Sequence, residues 1–167
     1  IMNGCGGAGA FSDGKYNITN DFGGTLHEYI GKDKALKLMN YVDSINMSHG
    51  GEGTKLYTTA QSDFKRKCLE QDLHLLDASV RHLGTDINYV VLENLFNELK
   101  DKVDFRFLTS ARTVEKLEDG YRIVTDKEEF DCRYCVISAG RSGSKWMENV
   151  CKDLDIPTKS NRVDIGV

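Results

Sequence analysis

An excess of basic residues is the first thing this sequence lacks. Lysine and arginine total 22 against 26 acidic residues, a net charge of −4. The basic footprint of a nucleic-acid binder is missing, so no nucleic-acid partner is expected. Long apolar runs are missing too. A run such as YVVL at 89–92 is far too short to span a bilayer. No signal-peptide pattern is present in these residues, and no membrane partner is expected. Histidine is scarce. His27, His49, His74 and His82 never pair at a ligand spacing such as H-x-x-x-H, which argues against a metal site. Cysteine has no framework. Cys5, Cys68, Cys132, Cys135 and Cys151 are odd in number and scattered, as free thiols in a reducing, cytoplasmic setting would be. Repeats and low-complexity tracts are absent. An initiator methionine is also missing: the chain starts at Ile1 inside a Gly-rich run and ends on VDIGV, which reads as a strand in progress. The expectation is an internal fragment whose first partner is the rest of its parent chain.

What is there suits one domain. The chain has 167 residues, 40% of them hydrophobic, enough to bury a sizeable core. Residues 1–31 are Gly-rich and read as mostly loop, stable only if packed against something. Residues 32–101 read as helical. Ala35, Leu38, Met39, Val42 and Ile45 share one helical face, with Asp33 as N-cap and MSHGGEG (47–53) as the stop. KLYTTA (55–60) reads as a short strand. Ser62 caps a helix to about Gln71, with Phe64, Cys68 and Leu69 inward. HLLDASV (74–80) reads as extended. Thr85 or Asp86 caps a third helix, striped by Ile87, Val90, Val91, Leu95 and Leu99. From 102 to 167 the period drops to two. VDFRFL (103–108) alternates as a strand, and a hairpin turns at Asp119-Gly120. A further turn at Asp126-Lys127 precedes EEFDCRYCVISAG, which ends in a buried-looking strand. Ser142 to Asp153 reads as a closing helix, with Trp146, Met147, Val150 and Leu154 as its apolar positions and Pro157 just beyond.

Three readings compete for the opening. GCGGAG (4–9) spells the dinucleotide pattern G-x-G-x-x-G, but that pattern needs a strand before it and a helix after it. Only three residues precede Gly4, and YNITND downstream has no helical stripe. GAFSDGKY (9–16) nearly spells a phosphate loop, but Tyr16 stands where a hydroxyl should ligate Mg²⁺. A third reading is a loop that lets backbone approach a flat ligand, since glycine carries no side chain. The bland alternative is a flexible terminus. CVISAGRSGSKWM (135–147) is the second informative stretch. A strand runs into small residues and then a helix, the place where open α/β sheets bind ligands. Ser142 or Ser144 could cap that helix and present N–H groups to an anion. A close-packed turn without ligand fits equally.

NGCGGAGAFSDGK, NITNDFGG, YVDSIN, KRKCLEQDLHLLDASVRHLGTDINYVVLENL, CVISAGRSGSKWM and RVDIGV together resemble the interior of bacterial FAD-dependent NAD(FAD)-utilising dehydrogenases, within the glutathione-reductase-like flavoproteins. The resemblance covers nearly the whole chain. It implies an α/β fold, α+β in the isolated fragment. A partial FAD-binding sheet with a β-meander would accompany a helical substrate-side region. It implies non-covalent FAD in the intact parent, with NAD(P)H as a possible substrate. By this resemblance Gly6, Gly7, Gly9, Phe11, Ser12, Asp13 and Lys15 line the flavin and pyrophosphate side. Thr113 and Val114 fall where a strand backbone reads adenine. Ser138, Ala139 and Gly140 replace the family's usual Ala-Thr-Gly, keeping the close backbone approach and losing the threonine side chain. Arg141 or Lys15 would offset pyrophosphate charge or stabilise a reduced, anionic flavin. The dinucleotide fingerprint itself would lie in an upstream βαβ unit, so this chain alone is expected to bind FAD weakly or not at all.

The other candidates are weaker. Cys132-Arg-Tyr-Cys135 is a C-x-x-C, but strand alternation puts Cys135 on the face opposite Cys132. Cys68 reads as core, and Cys5 is the thiol to test for reactivity. His49 in SHGGE reads as an exposed loop residue ahead of the alternative, a substrate-side polar group. No catalytic acid–base pair stands out. The expected function is part of an oxidoreductase passing hydride between a nicotinamide or organic donor and an unknown acceptor. The isolated chain would be inactive, with self-association through open sheet edges. The rivals are a non-enzymatic interaction domain and a phosphate-loop nucleotide-binding protein.

Overall fold

The computed structural model describes residues 6, 7, 9, 12–60 and 62–160. Helices mix with two small antiparallel sheets, an α+β arrangement. The chain divides into two compact units, Ile1–Asp104 and Phe105–Val167. Among the described residues no helix is long and apolar enough to cross a membrane.

In the first unit, β1 (Lys15–Ile18), β2 (Leu56–Thr58) and β3 (Ser79–His82) form a sheet in the order β1-β3-β2. The helices are α1 (Leu26–Ile30), α2 (Lys32–Asn46), α3 (Phe64–Leu69) and α4 (Thr85–Leu99). Tyr16 and Leu56 both pair with Arg81, the former across β1 and the latter across β2. Arg81 decides how α2 packs. Its Nε and NH2 donate to the two Asp43 oxygens at 3.0 and 2.7 Å, and NH1 donates to the Thr54 carbonyl at 2.7 Å. A charge with so little water must be paired in this way. The buried face of α2 is therefore Ala35, Asp43 and Asn46, while Leu38 and Val42 are exposed. The expected apolar face is rotated toward the arginine.

Other boundaries also move. The opening, expected to be mostly loop, contains the two short elements β1 and α1. α2 starts one residue before Asp33, behind Gly31 at φ 84°, so Asp33 sits in its first turn. Asp63, not Ser62, stands at the N-cap of α3, while Ser62 Oγ one residue earlier accepts the Phe64 N–H at 3.2 Å. That helix stops at Leu69, and Phe64 and Leu69 face outward. Asp72 at φ 53° closes it, with the Leu73 N–H returning to the Cys68 carbonyl. Aspartate is one of the few side chains that tolerate this backbone, and the 6→1 bond satisfies a terminal carbonyl. α4 has Gly84 at its N-cap and no side-chain cap from Thr85 or Asp86. The extended stretch after His74 becomes strand only from Ser79, where β1 and β2 supply partners on both sides.

In the second unit, β4 (Ala111–Leu117), β5 (Gly120–Thr125) and β6 (Glu129–Cys132) form the expected meander in the order β4-β5-β6. Gly120 has φ 123°, and a side chain there would collide with the Cys132 carbonyl oxygen, so the turn requires glycine. A short 3₁₀ turn (Arg141–Gly143) leads into α5 (Ser144–Asp153). Val150 and Cys151 are buried, and Trp146 Nε1 donates to the Arg112 carbonyl at 2.8 Å, tying α5 to β4. Asp155 at φ 55° closes α5, with the Ile156 N–H on the Cys151 carbonyl.

Two expected strands do not form. Residues 103–108 alternate, but alternation names a face and not a ladder partner. β5 is already flanked by β4 and β6, and Leu108 adopts φ 52°. The run CVISAG is also irregular. β5 begins at Gly120, and Cys132 pairs with Tyr121, so beyond Cys132 β5 has almost nothing left to pair with. Val136 is 90% exposed where a buried strand was expected.

Candidate functional site

Asn88 organises the candidate residues of the first unit. It lies on α4 and is fully buried. Its Nδ2 donates to the Gly9 carbonyl at 2.5 Å, and its Oδ1 accepts the Tyr16 hydroxyl at 2.7 Å. One carboxamide thus clamps the glycine run and β1 to the helix. Burial pushes the Tyr16 phenol up from its ordinary value. Ser12 tightens the same loop, donating from Oγ to the Gly9 carbonyl and accepting the Gly14 N–H, each at 3.1 Å. Gly14 has φ 63°, and a Cβ there would lie 3.0 Å from both Asn88 Cβ and the Gly84 carbonyl. Its own carbonyl accepts from Leu83 at 2.9 Å, and that of Asp13 accepts from Gly84 at 3.0 Å. Strand β1 follows Gly14 directly, so no helix N-terminus backs these residues as a phosphate loop requires.

Gly7 and Gly9 have open space where a side chain would stand. Asp13 and Lys15 form an exposed ion pair at 2.9 Å, and the lysine holds the Asp13 carboxyl below its usual range. Gly6, Gly7, Gly9, Ser12, Asp13 and Lys15 therefore belong to one loop and the start of β1. Phe11 and Cys5 lie outside the described residues.

The remaining candidate residues are in the second unit. Thr113 and Val114 lie on β4, which pairs only with β5 among the described residues, so it has an outer backbone edge. Val114 is buried, and Thr113 Oγ1 lies 3.4 Å from Glu115 Oε1. Ser138, Ala139, Gly140 and Arg141 are exposed and lead into α5. Gly140 has φ 65° with open space at its missing side chain. Neither Ser142 nor Ser144 caps the helix; Gly143 stands at the N-cap with no side-chain bond. The Trp146 bond to Arg112 brings the start of α5 beside the strand that carries Thr113 and Val114.

Sequence reasoning missed two features. Asn88 escaped because only the apolar stripe of α4 was read. Its signal was a polar residue one turn before Val91 on the packed face. The second is a groove of about 370 Å³ in the first unit, lined by Asn20, Lys32, Thr58 and Asp77 among others, and by none of the expected site residues. Asn20 Nδ2 donates to the Lys32 carbonyl at 3.2 Å there. His49 is a correction. Its side chain is 17% exposed and joins Glu98 on α4 at 2.8 Å, across a wide π-type turn (Met47–Gly51). It is a tie between helices and not a free loop residue. Among the described residues no cluster of three metal-ligating side chains occurs.

No family model, curated protein or solved structure matches this chain.

Proposed function

We propose that this chain is part of an FAD-dependent oxidoreductase that passes hydride between a nicotinamide or organic donor and an unknown acceptor. The resemblance of the two small-residue stretches to flavoprotein dehydrogenases supports the reading. The observation that carries it is bare main chain at Gly7, Gly9 and Gly140, each beside open space. Such backbone accommodates a flat ring system at contact distance and can donate N–H groups to it. Bound FAD supplies the hydride-accepting ring, and the protein orients and polarises it. Gly6, Gly7, Gly9, Phe11 and Ser12 would line the flavin side. The edge of β4 at Thr113 and Val114 would meet adenine, and Ser138, Ala139 and Gly140 would let the cofactor approach closely. Arg141 is exposed and would neutralise phosphate charge. Lys15 would do the same by leaving Asp13, a weak surface pair whose loss costs little.

The test is the flavin content of the purified product of the complete gene. A yellow chromophore released on denaturation and identical to FAD is the expected result. Arg141→Met and Lys15→Met should weaken FAD retention or shift the flavin potential. A colourless product that leaves added FAD fluorescence unchanged would sink the reading.

A further inference from the structure

The groove of about 370 Å³ in the first unit plays no part in the flavin reading. It arises from the way α2 meets the sheet. Tyr16, Arg81 and Leu56 stand side by side across β1, β3 and β2, and Ile18, Ser79 and Thr58 form the next such row. Strand alternation puts both rows on one face. Lys32, Leu36, Asn40 and Asp43 follow one another along one stripe of α2. Near the end of that stripe Asp43 is drawn onto Arg81, in the first row. Among the described residues no such pair draws the start of α2 onto the second row. The groove opens there, with Lys32, Leu36 and Asn40 along the helix side and Ile18, Ser79 and Thr58 along the sheet. Its rim is preformed. Thr19 Oγ1 donates to the Asp77 carbonyl at 2.7 Å and accepts the Asp21 N–H at 3.1 Å. Asp21 Oδ2 accepts the Asp77 N–H at 3.2 Å, and Asn20 ties the same loop to the Lys32 carbonyl.

The polar lining is only partly used up. Lys65 holds both Asp77 oxygens, at 2.7 and 2.8 Å. Asp21 keeps one oxygen without a partner. The Ser79 and Thr58 hydroxyls lie 3.3 Å apart, and one proton between them satisfies that contact, so the other is left to donate. Lys32 makes no ion pair among the described residues, with Asp21 or with any other acid. One cation, one carboxylate oxygen and one hydroxyl proton thus stand ready around apolar surface from Ile18, Leu36 and Leu56. We propose that this groove binds a small zwitterion, an α-amino acid with an apolar side chain. The ligand carboxylate takes the Lys32 ammonium and the hydroxyl proton. The ligand ammonium takes Asp21, and the aliphatic side chain lies on Ile18, Leu36 and Leu56. A dianion such as phosphate is disfavoured, because Asp21 and Asp77 share the rim with a single unpaired lysine. The volume is in the range of small-molecule sites, about 300–1,000 Å³. None of the expected flavin residues lines the groove, so the proposal stands independently of FAD.

The probe is L-leucine, titrated into the isotope-labelled 167-residue chain and followed by backbone amide shifts in NMR spectra. Amides around Asn20, Leu36 and Ala78 should move together and saturate. Lys32→Met should weaken binding about fivefold, the upper range for an exposed ion pair, and Asp21→Asn should weaken it by a similar factor. Asparagine keeps an acceptor for the Asp77 N–H, so the rim stays tied. Lys34→Met, on the same helix but outside the groove, should change nothing. Isocaproate, which is leucine without its ammonium, should bind more weakly than leucine. It should not distinguish Asp21→Asn from the unmutated chain. Absence of saturable shifts up to about 10 mM leucine overturns the proposal. So do shifts confined to residues outside the groove, or equal binding of leucine and isocaproate. The comparison of the two ligands on the unmutated chain decides the matter even if a variant misfolds.

Discussion

Both ring nitrogens of His49 face oxygen acceptors. Nδ1 lies 2.7 Å from the Ile45 carbonyl and Nε2 lies 2.8 Å from Glu98 Oε2. A neutral imidazole has one N–H and can donate only once; satisfying both oxygens needs the imidazolium. The Ile45 carbonyl first, and then Glu98, accordingly raise the His49 pKa above its ordinary 6.5. Lys102 shares Glu98 through its other oxygen at 3.2 Å, and Ser48 Oγ lies 3.1 Å from Nδ1. The folded chain thus binds more protons here than the unfolded chain does. The stabilisation is complete below 6.5 and is lost as pH rises through the folded value. The melting temperature of the unmutated chain, minus that of His49→Gln, should therefore shrink as pH climbs from about 6 to about 8. A difference that stays flat across that range would show that the ring is neutral in the fold. The sequence placed His49 in a turn, and the turn is there. Its partner Glu98 lies 49 residues away on a helix that only tertiary contact brings near.

At the scale of elements, α4 carries the most consequence. Asn88 and Val91 are its buried residues, so the packed face includes a carboxamide. Asn88→Ala would strand the Tyr16 hydroxyl and remove one donor from the Gly9 carbonyl, which keeps Ser12. Unsatisfied buried groups cost about 1–3 kcal/mol each. Urea denaturation should show a loss of that order, with Tyr16→Phe recovering part of it by removing one orphan group. A loss below about 0.5 kcal/mol would show that water replaces the clamp. The existence of α2, α4, α5 and the meander was legible, because each follows a periodic apolar pattern or an Asp-Gly turn. The rotation of α2 was not legible. Asp43 faces inward only because Arg81 on β3 is there to meet it, and helical periodicity cannot see an arginine 38 residues further along the chain. The failed strand at CVISAG teaches the same lesson from the sheet side: β-branched residues extend, but pairing ends where β5 ends.

Over the whole molecule, each three-stranded sheet ends in two edge strands among the described residues. β2 is such an edge, and its Leu56 and Tyr57 are exposed. Open edges bearing apolar side chains template pairing with another chain. Sedimentation velocity of the isolated chain should show a weight-average coefficient that rises with concentration. Tyr57→Lys should suppress that rise. A concentration-independent monomer would remove the edge-pairing expectation. The residues of the expected site divide between two compact units, with the Gly-rich loop in one and the small residues before α5 in the other. Sequence alone determined the mixed helix and strand content, the β4–β5 hairpin, and the places where main chain is left bare, because glycine, turn residues and short-range periodicity act within a few residues. Tertiary structure alone decided that Asn88 holds the glycine loop and that α2 turns its acid inward. Those outcomes depend on which distant groups must be satisfied or make room, and that demand exists only once the chain has folded.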